Sequence, residues 1–148
     1  MAFSWEPFGR TARDVTPAPE PAPPEAEPAP TPARALSSRP ARAMAIVTCM
    51  DCRIDPLDAL GVSLGDAVVL RNAGAQISDD MLRSLKMAHE VLGVRTVHVI
   101  AHTDCAAHGG DAEAAVREAA AGADRIRGAI PNLRAQAGLL DLETGVVV

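Results

Sequence analysis

Two short stretches of the chain place metal-binding side chains directly after apolar runs. Cys49, Asp51 and Arg53 stand two residues apart after the first run, and His102 and Cys105 follow the second. Thiolate sulfur and imidazole nitrogen are ligands that Zn²⁺ prefers. Alternate side chains of an extended chain point the same way, so this spacing predicts that Cys49, Asp51 and Arg53 converge beyond a strand end.

The number of protein ligands decides what such a zinc ion does. Cys49, His102 and Cys105 are three ligands, and three protein ligands with one free position are typical of catalytic zinc. If Cys52 is the fourth ligand, the site is a closed structural one; if Cys49 and Cys52 pair, the stretch is a Cys-x-x-Cys redox motif. A strand before Cys49 turns Cys52 to the opposite side, and Arg53 is a poor neighbour for a structural zinc, so catalytic zinc is favoured.

Both stretches follow predicted strands of an α/β fold, a small and mostly parallel β-sheet flanked by helices. Strands are predicted over residues 44–49, 67–71 and 94–101, with a terminal strand or hairpin over 137–148. Helices are predicted over residues 78–92, 112–121 and 124–129, with a helical turn at 57–60. Strands that alternate with helices and are apolar on both faces indicate a parallel sheet. Ligands of such sheets bind beyond the carboxyl ends of the strands, where both stretches lie.

Composition divides the 148 residues into a tail and one domain. Ten of the twelve prolines fall in residues 1–40, so residues 1–42 are predicted to be a disordered Pro/Ala/Glu-rich tail and residues 43–148 a folded zinc domain. The net charge of −5 argues against a nucleic-acid partner. No apolar run approaches the roughly 20 residues that cross a membrane, and the N-terminus lacks the features of a secretory signal. Three cysteines are too few for a disulfide scaffold, so a cytoplasmic protein is predicted.

All the aromatic residues, Phe3, Trp5 and Phe8, lie at the beginning of the chain. They form either a frayed end without a role or a short docking segment on a flexible tether. A domain of about 100 residues buries a smaller share of its surface than a larger one does, which makes a homodimer or a higher homo-oligomer the expected state.

Together the two motifs resemble the β-class carbonic anhydrases. The resemblance rests on Cys49-x-Asp51-x-Arg53 and His102-x-x-Cys105 in this order, and it covers about residues 43–148. Further segments of the chain are similar to that family: Arg71-Asn72-Ala73-Gly74, Asp79-Asp80-x-x-Arg83-Ser84-Leu85, Leu92-Gly93 and Leu140-Asp141-Leu142-Glu143-Thr144-Gly145.

The resemblance implies one zinc ion per chain, held by Cys49, His102 and Cys105, and reversible hydration of CO₂ to bicarbonate by a zinc lyase. Zinc lowers the pKa of its water toward about 7, and the resulting hydroxide attacks CO₂. Asp51 then has two states: paired with Arg53 it accepts a hydrogen bond from the hydroxide, and unpaired it is a fourth metal ligand. The alternative for Asp51 and Arg53 is a surface ion pair that contributes little.

Four further residues near the motifs have weaker interpretations. His108 is either a proton relay or a solvated side chain, and Asp104 either orients His102 or caps the next helix. His89 and His98 are predicted to have packing or surface roles.

The chain departs from the family pattern beside the site. Cys52 stands where a small residue is expected, Ala106 and Ala107 stand where glycine is common, and residues 43–148 contain no aromatic residue. Walls for CO₂ would therefore be aliphatic. Two other functions are alternatives to that of a carbonic anhydrase. The chain could be a hydrolase of a CO₂-like substrate such as carbonyl sulfide, or a non-catalytic zinc-containing binding module.

Overall fold

The computed structural model describes residues 35–148, in which a four-stranded sheet is combined with three α-helices. The elements in chain order are β1 Met44–Cys49, α1 Pro56–Ala59, β2 Ala67–Asn72, α2 Asp79–Glu90, β3 Thr96–His102, α3 Ala112–Ala129 and β4 Arg134–Leu140. Two single 3₁₀ turns, Ala73–Ala75 and Ala106–His108, follow β2 and β3. The predicted α/β class is confirmed.

The sheet is parallel throughout, in the order β2-β1-β3-β4. Its register pairs Cys49 with Asn72 and Thr48 with Ile100, so β1, β2 and β3 reach the same edge. Strands β1 and β3 lie in the centre and are buried on both faces, as their continuous apolar sequences predict. The carboxyl ends of the central strands therefore present their last side chains close together.

Each helix begins at a side chain that binds free backbone N–H groups. Asp55 accepts from the amides of Leu57 and Asp58 at the start of α1. Ser78 accepts from the Met81 amide at the start of α2, and Asp111 accepts from the Ala114 amide at the start of α3. Such caps satisfy donors that have no partner in the first turn.

The prediction of separate helices over residues 112–121 and 124–129 is wrong. Helix α3 runs without a break from Ala112 to Ala129, through Gly122. A Cβ atom at Gly122 would lie only 2.7 Å from Cγ1 of Ile77, so the glycine lets α3 approach this buried side chain. Gly122 is therefore a packing residue within the helix and does not end it.

The last strand begins earlier in the chain than predicted. Strand β4 begins at Arg134, before the predicted residue 137, and pairs in parallel with β3. The predicted hairpin is present in a short form, because Leu140 and Val147 form an antiparallel bridge across the turn that follows β4.

Several predictions concern the beginning of the chain, and residues 1–34 lie outside the described part. The docking residues Phe3, Trp5 and Phe8 and most of the predicted tail fall there, and the division at residue 42 stays a prediction. Among residues 35–148, no helix combines the length and the apolar character needed to cross a membrane.

Candidate metal centre

The carboxyl ends of β1 and β3 bring together the three predicted zinc ligands. Cys49 is the last residue of β1, His102 is the last residue of β3, and Cys105 follows three residues later. One ligand atom from each lies within 4.8 Å of the other two, and all three residues are buried. This is the spacing at which sulfur and nitrogen ligands can share one metal ion.

His102 presents a ring nitrogen to this cluster that has no partner in the described part of the chain. Its Nδ1 lies 2.8 Å from the carbonyl oxygen of Thr103, which can only accept a hydrogen bond, so Nδ1 carries the proton. The lone pair is then on Nε2, which is buried and has no hydrogen-bond partner among residues 35–148. A buried polar atom without a partner is unfavourable. A metal ion at this lone pair would satisfy it, so the residues present fit zinc.

The two sulfur atoms of the cluster also fit a cation. Sγ of Cys49 lies 3.9 Å from Sγ of Cys105, and neither residue forms a disulfide. Burial raises the pKa of the Cys105 thiol, and the adjacent Cys49 raises it further, against the hydrogen bonds from nearby backbone amides that lower it. Two buried thiolates at this separation repel each other. A bound dication would remove that repulsion and favour the thiolate forms.

A tight turn after β2 supports the Cys49 sulfur. The Gly74 amide donates to Sγ of Cys49 at 3.3 Å, and the side chain of Asn72 closes the turn through two hydrogen bonds with the backbone of Gln76. Gly74 has a φ of +72°, and a Cβ atom there would lie 2.8 Å from Nε2 of His108. Only glycine meets both requirements without strain.

His108 contacts this turn, which its position in the sequence did not indicate. Its Nε2 lies 3.3 Å from the Gly74 carbonyl oxygen, so the ring links the turn after β2 to the turn after β3. The interpretation of His108 as a merely solvated side chain is therefore wrong. The contact is to the carbonyl oxygen of the same residue whose amide binds Cys49.

Asp51 and Arg53 form a bidentate ion pair beside the cluster. The Arg53 Nε donates to Oδ1 of Asp51 at 3.0 Å and its Nη2 donates to Oδ2 at 2.7 Å. Hydrogen bonds from the Arg53 side chain, then from its backbone amide, hold the pKa of the Asp51 carboxyl well below its usual range. Arg71 fixes the backbone beneath the pair by donating to the carbonyl oxygens of Cys49 and Asp51.

The structural reason for this pairing differs from the predicted one. Strand β1 ends at Cys49, and the chain turns at Cys52 and Arg53, so the side chains do not alternate along an extended strand. Asp51 and Arg53 meet because the Arg53 amide donates to the Asp51 carboxylate within the turn. The predicted basis in strand geometry is wrong, because Asp51 and Arg53 lie beyond the end of β1 and Asp51 is not part of the cluster that contains Cys49.

An open cleft of about 720 Å³ leads to Cys49, Asp51 and Arg53. Within residues 35–148, its remaining walls are thioether, thiol and methyl groups from Met50, Cys52, Ala73, Ala106 and Ala107, and none of these residues is aromatic. Cys52 is exposed and is not part of the three-residue cluster, which disfavours the structural site with four protein ligands.

The remaining residues singled out in the sequence lie elsewhere or act differently. His89 bonds the Val94 carbonyl oxygen, and His98 contacts Gln136 on β4, so neither belongs to the metal cluster and both fit the predicted packing or surface roles. Neither interpretation of Asp104 is correct: helix α3 is capped by Asp111, and the His102 ring is oriented by a backbone carbonyl.

Asp104 instead binds Arg53. Its Oδ2 accepts from Nη1 of Arg53 at 2.9 Å. Nothing in the sequence pairs these two residues, since they are far apart along the chain. The one indication in the sequence is an acidic residue between two predicted metal ligands.

Comparison with known proteins extends these observations. The model of a family described as carbonic anhydrase matches residues 44–140. Beta-carbonic anhydrase 1 of Mycobacterium tuberculosis is 46% identical over 66 residues, which are 45% of this chain and 40% of that protein. A carbon disulfide hydrolase of Saccharolobus solfataricus is 42% identical over 64 residues, 43% of this chain and 31% of that one.

A solved structure agrees over a larger part of the chain. Carbonic anhydrase from Glaciozyma antarctica superposes with a TM-score of 0.67 at 31% identity, covering 78% of this chain and 86% of that one. The matches to the two curated relatives, in contrast, span at most two fifths of those proteins' length.

Proposed function

Because the chain belongs to the β-class carbonic anhydrase family, we propose that it is a zinc enzyme that interconverts CO₂ and bicarbonate. The observation that carries this proposal is the buried Nε2 of His102, which has no hydrogen-bond partner within residues 35–148 and lies beside the sulfur atoms of Cys49 and Cys105. These three residues would hold one zinc ion per chain. Bound zinc supplies a water of lowered pKa, and therefore a nucleophile at neutral pH.

Asp51 and Arg53 would orient the attacking water. An ionised carboxylate only accepts hydrogen bonds, so Asp51 can accept one from an O–H group of the attacking water. The lone pair of the water oxygen then points away from Asp51. Arg53 binds both carboxylate oxygens in a planar fork, which keeps Asp51 in one orientation and apart from the three ligands. In its other proposed state, released from Arg53, Asp51 would be a fourth ligand and would close the site.

The walls of the cleft suit a small apolar substrate. Met50, Ala73, Ala106 and Ala107 leave an open, aliphatic approach to the ligand cluster. CO₂ carries no net charge and needs no ion-pairing partner on the protein. The carbon atom of CO₂ would meet the oriented water where Asp51 faces the cleft.

Substitution of Arg53 tests the proposal. We expect Arg53→Ala to retain zinc at one ion per chain and to lose CO₂ hydration, measured by stopped flow with zinc quantified on the same sample. Cys52→Ser is the matched control next to it and should retain both zinc and hydration. Retained hydration in Arg53→Ala would contradict the role given to the pair. A wild-type protein that holds zinc and hydrates no CO₂ at pH 8 would instead support a non-catalytic zinc module.

Hydrolysis of a CO₂-like molecule is the second candidate activity. It is favoured by the 42% identity to the carbon disulfide hydrolase and by the sulfur and methyl walls of the cleft. Carbonyl sulfide and carbon disulfide are also small, linear and uncharged. Release of hydrogen sulfide from either compound, compared with CO₂ hydration on the same sample, separates the two activities.

We also propose a homodimer or a higher homo-oligomer in the cytoplasm. Strand β2 lies at the edge of the sheet, and the apolar Val68, Val69 and Leu70 stay partly exposed there. Cys49, Cys52 and Cys105 form no disulfide, and cysteines that stay reduced favour a reducing compartment. Light scattering coupled to gel filtration measures the oligomeric state, and a mass equal to one chain would contradict the proposed homo-oligomer.

A further inference from the structure

Arg53 is held from two sides by acidic residues of two different loops. On one side it binds both carboxylate oxygens of Asp51. On the other side Nη1 donates to Oδ2 of Asp104 at 2.9 Å, and Nη2 donates to the Asp104 carbonyl oxygen at 3.2 Å. The guanidinium therefore bridges the loop after β1, which follows Cys49, and the loop after β3, which carries Cys105.

The backbone at Asp104 is shaped for this contact. Asp104 has a φ of +54°, in the left-handed region that most residues avoid and that aspartate, asparagine and glycine tolerate best. In this conformation the residue between His102 and Cys105 offers both its carboxylate and its carbonyl oxygen to Arg53. The turn that places the two metal ligands also places the partner of Arg53.

Arg53 needs a second partner because it is long and half exposed. Its side chain has 49% of its surface accessible, and a single exposed ion pair restricts such a side chain weakly. Acceptors on both edges of a planar guanidinium restrict it far more, because only one orientation satisfies them together.

What Arg53 restrains is a competing metal ligand. Asp51 lines the same cleft as Cys49, two residues away, and a carboxylate oxygen is itself a ligand that zinc accepts. Yet Asp51 does not belong to the cluster of Cys49, His102 and Cys105, because both of its oxygens are bound by Arg53. Loosening Arg53 would free this carboxylate for the metal.

We propose that Asp104 is a positioning residue, which fixes Arg53 so that Arg53 keeps Asp51 away from the free position of the metal site. The inference rests on the proposed zinc site. The Asp104 side chain is 75% exposed, so its contact shifts a balance between two positions of Asp51 and does not hold Asp51 in one position only.

The affinity of the cobalt-substituted protein for azide measures this balance. Azide is a small anion that binds an open metal position, and the visible spectrum of Co²⁺ reports its coordination. Asp104→Gly removes the carboxylate and keeps the left-handed backbone. We expect azide to bind about three- to tenfold more weakly, the loss of roughly one charged hydrogen bond at an exposed site. Asp104→Asn, which keeps a neutral acceptor, should fall between this variant and the wild type.

An Asp51→Ala background separates positioning from a general disturbance of the loop. Without the Asp51 carboxylate the proposed competing ligand is gone, so Asp104→Gly should leave azide affinity unchanged there. An equal loss in both backgrounds would overturn the inference. So would tighter azide binding in Asp104→Gly alone, which would mean that Asp104 competes with Asp51 for Arg53.

The proposed function and this inference fail in different ways. A wild-type protein that binds neither zinc nor cobalt would overturn both. A wild-type protein that binds cobalt and azide, with an azide affinity insensitive to Asp104→Gly, would overturn the role of Asp104 alone.

Discussion

Gly122 of helix α3 packs against Ile77, which lies between the 3₁₀ turn Ala73–Ala75 and the start of α2. Replacement of Gly122 by alanine tests how closely α3 and Ile77 are packed. A Cβ atom at this position would lie 2.7 Å from Cγ1 of Ile77, which is buried. The same helix contains Gly128, where an added Cβ atom would meet nothing within 4 Å. The two glycines therefore form a matched pair within α3.

Two opposing effects set the magnitude. Alanine is more favourable than glycine inside a helix by about 0.5–1 kcal/mol. Carbon atoms pack best at about 3.5–4.0 Å, so a methyl group at 2.7 Å from Ile77 overlaps it and forces it to move, and overpacking of this kind costs about 1–3 kcal/mol. We expect Gly122→Ala to lower the free energy of unfolding by about 1 kcal/mol. Gly128→Ala lacks the overlap and should raise it by about 0.5 kcal/mol.

Urea unfolding followed by circular dichroism measures both changes, at matched metal content because bound metal adds to stability. A change of about 1 kcal/mol corresponds to roughly 4–8 °C in Tm for a domain of this size. In an Ile77→Ala background the overlap is gone, so Gly122→Ala should become stabilising. If Gly122→Ala stabilises the wild-type protein as Gly128→Ala does, the contact with Ile77 is not restrictive and the reasoning is refuted.

Two further predictions concern the metal site and the response to pH. Gly74→Ala would place a Cβ atom 2.8 Å from His108 and displace the amide that binds Cys49. Zinc affinity, measured by competition with a chromophoric chelator, should therefore fall by roughly tenfold. Gly61 has a similar φ of +58° and open space around it, so Gly61→Ala should leave the affinity unchanged. Burial lowers the pKa of the His98 imidazole, so below about pH 6.5 the unfolded chain binds a proton that the folded chain does not, and the free energy of unfolding should fall as the pH falls. A slope of the same steepness in His98→Gln would show that other groups cause it.

The cluster of Cys49, His102 and Cys105 could be predicted because the positions of its residues depend on local pattern and general topology. Cys49 and His102 end apolar runs, and a parallel sheet brings the carboxyl ends of such runs to one edge. The order of strands and helices follows from periodicity and from caps such as Ser78, which are also local. These features need no knowledge of distant contacts.

Gly122 shows where local pattern misleads. Glycine is a weak helix former, so its position within a run of alanines suggests an interruption. In the structure the contact of α3 with Ile77 requires the missing side chain, and the helix continues through it. Packing against Ile77, 45 positions earlier in the chain, outweighs the low helix preference of glycine.

The sequence by itself determined the chemical types at the site, two thiols, an imidazole, a carboxylate and a guanidinium, and their order at and after the ends of two strands. Only the tertiary structure decided how they interact. The Thr103 carbonyl selects the proton position of His102, Gly74 binds the Cys49 sulfur, and Asp104 shares Arg53 with Asp51. The physical reason is that hydrogen bonds act over about 3 Å and depend on direction. Where loops far apart in sequence meet, the path of the backbone places donors and acceptors, and residue spacing alone does not contain that path.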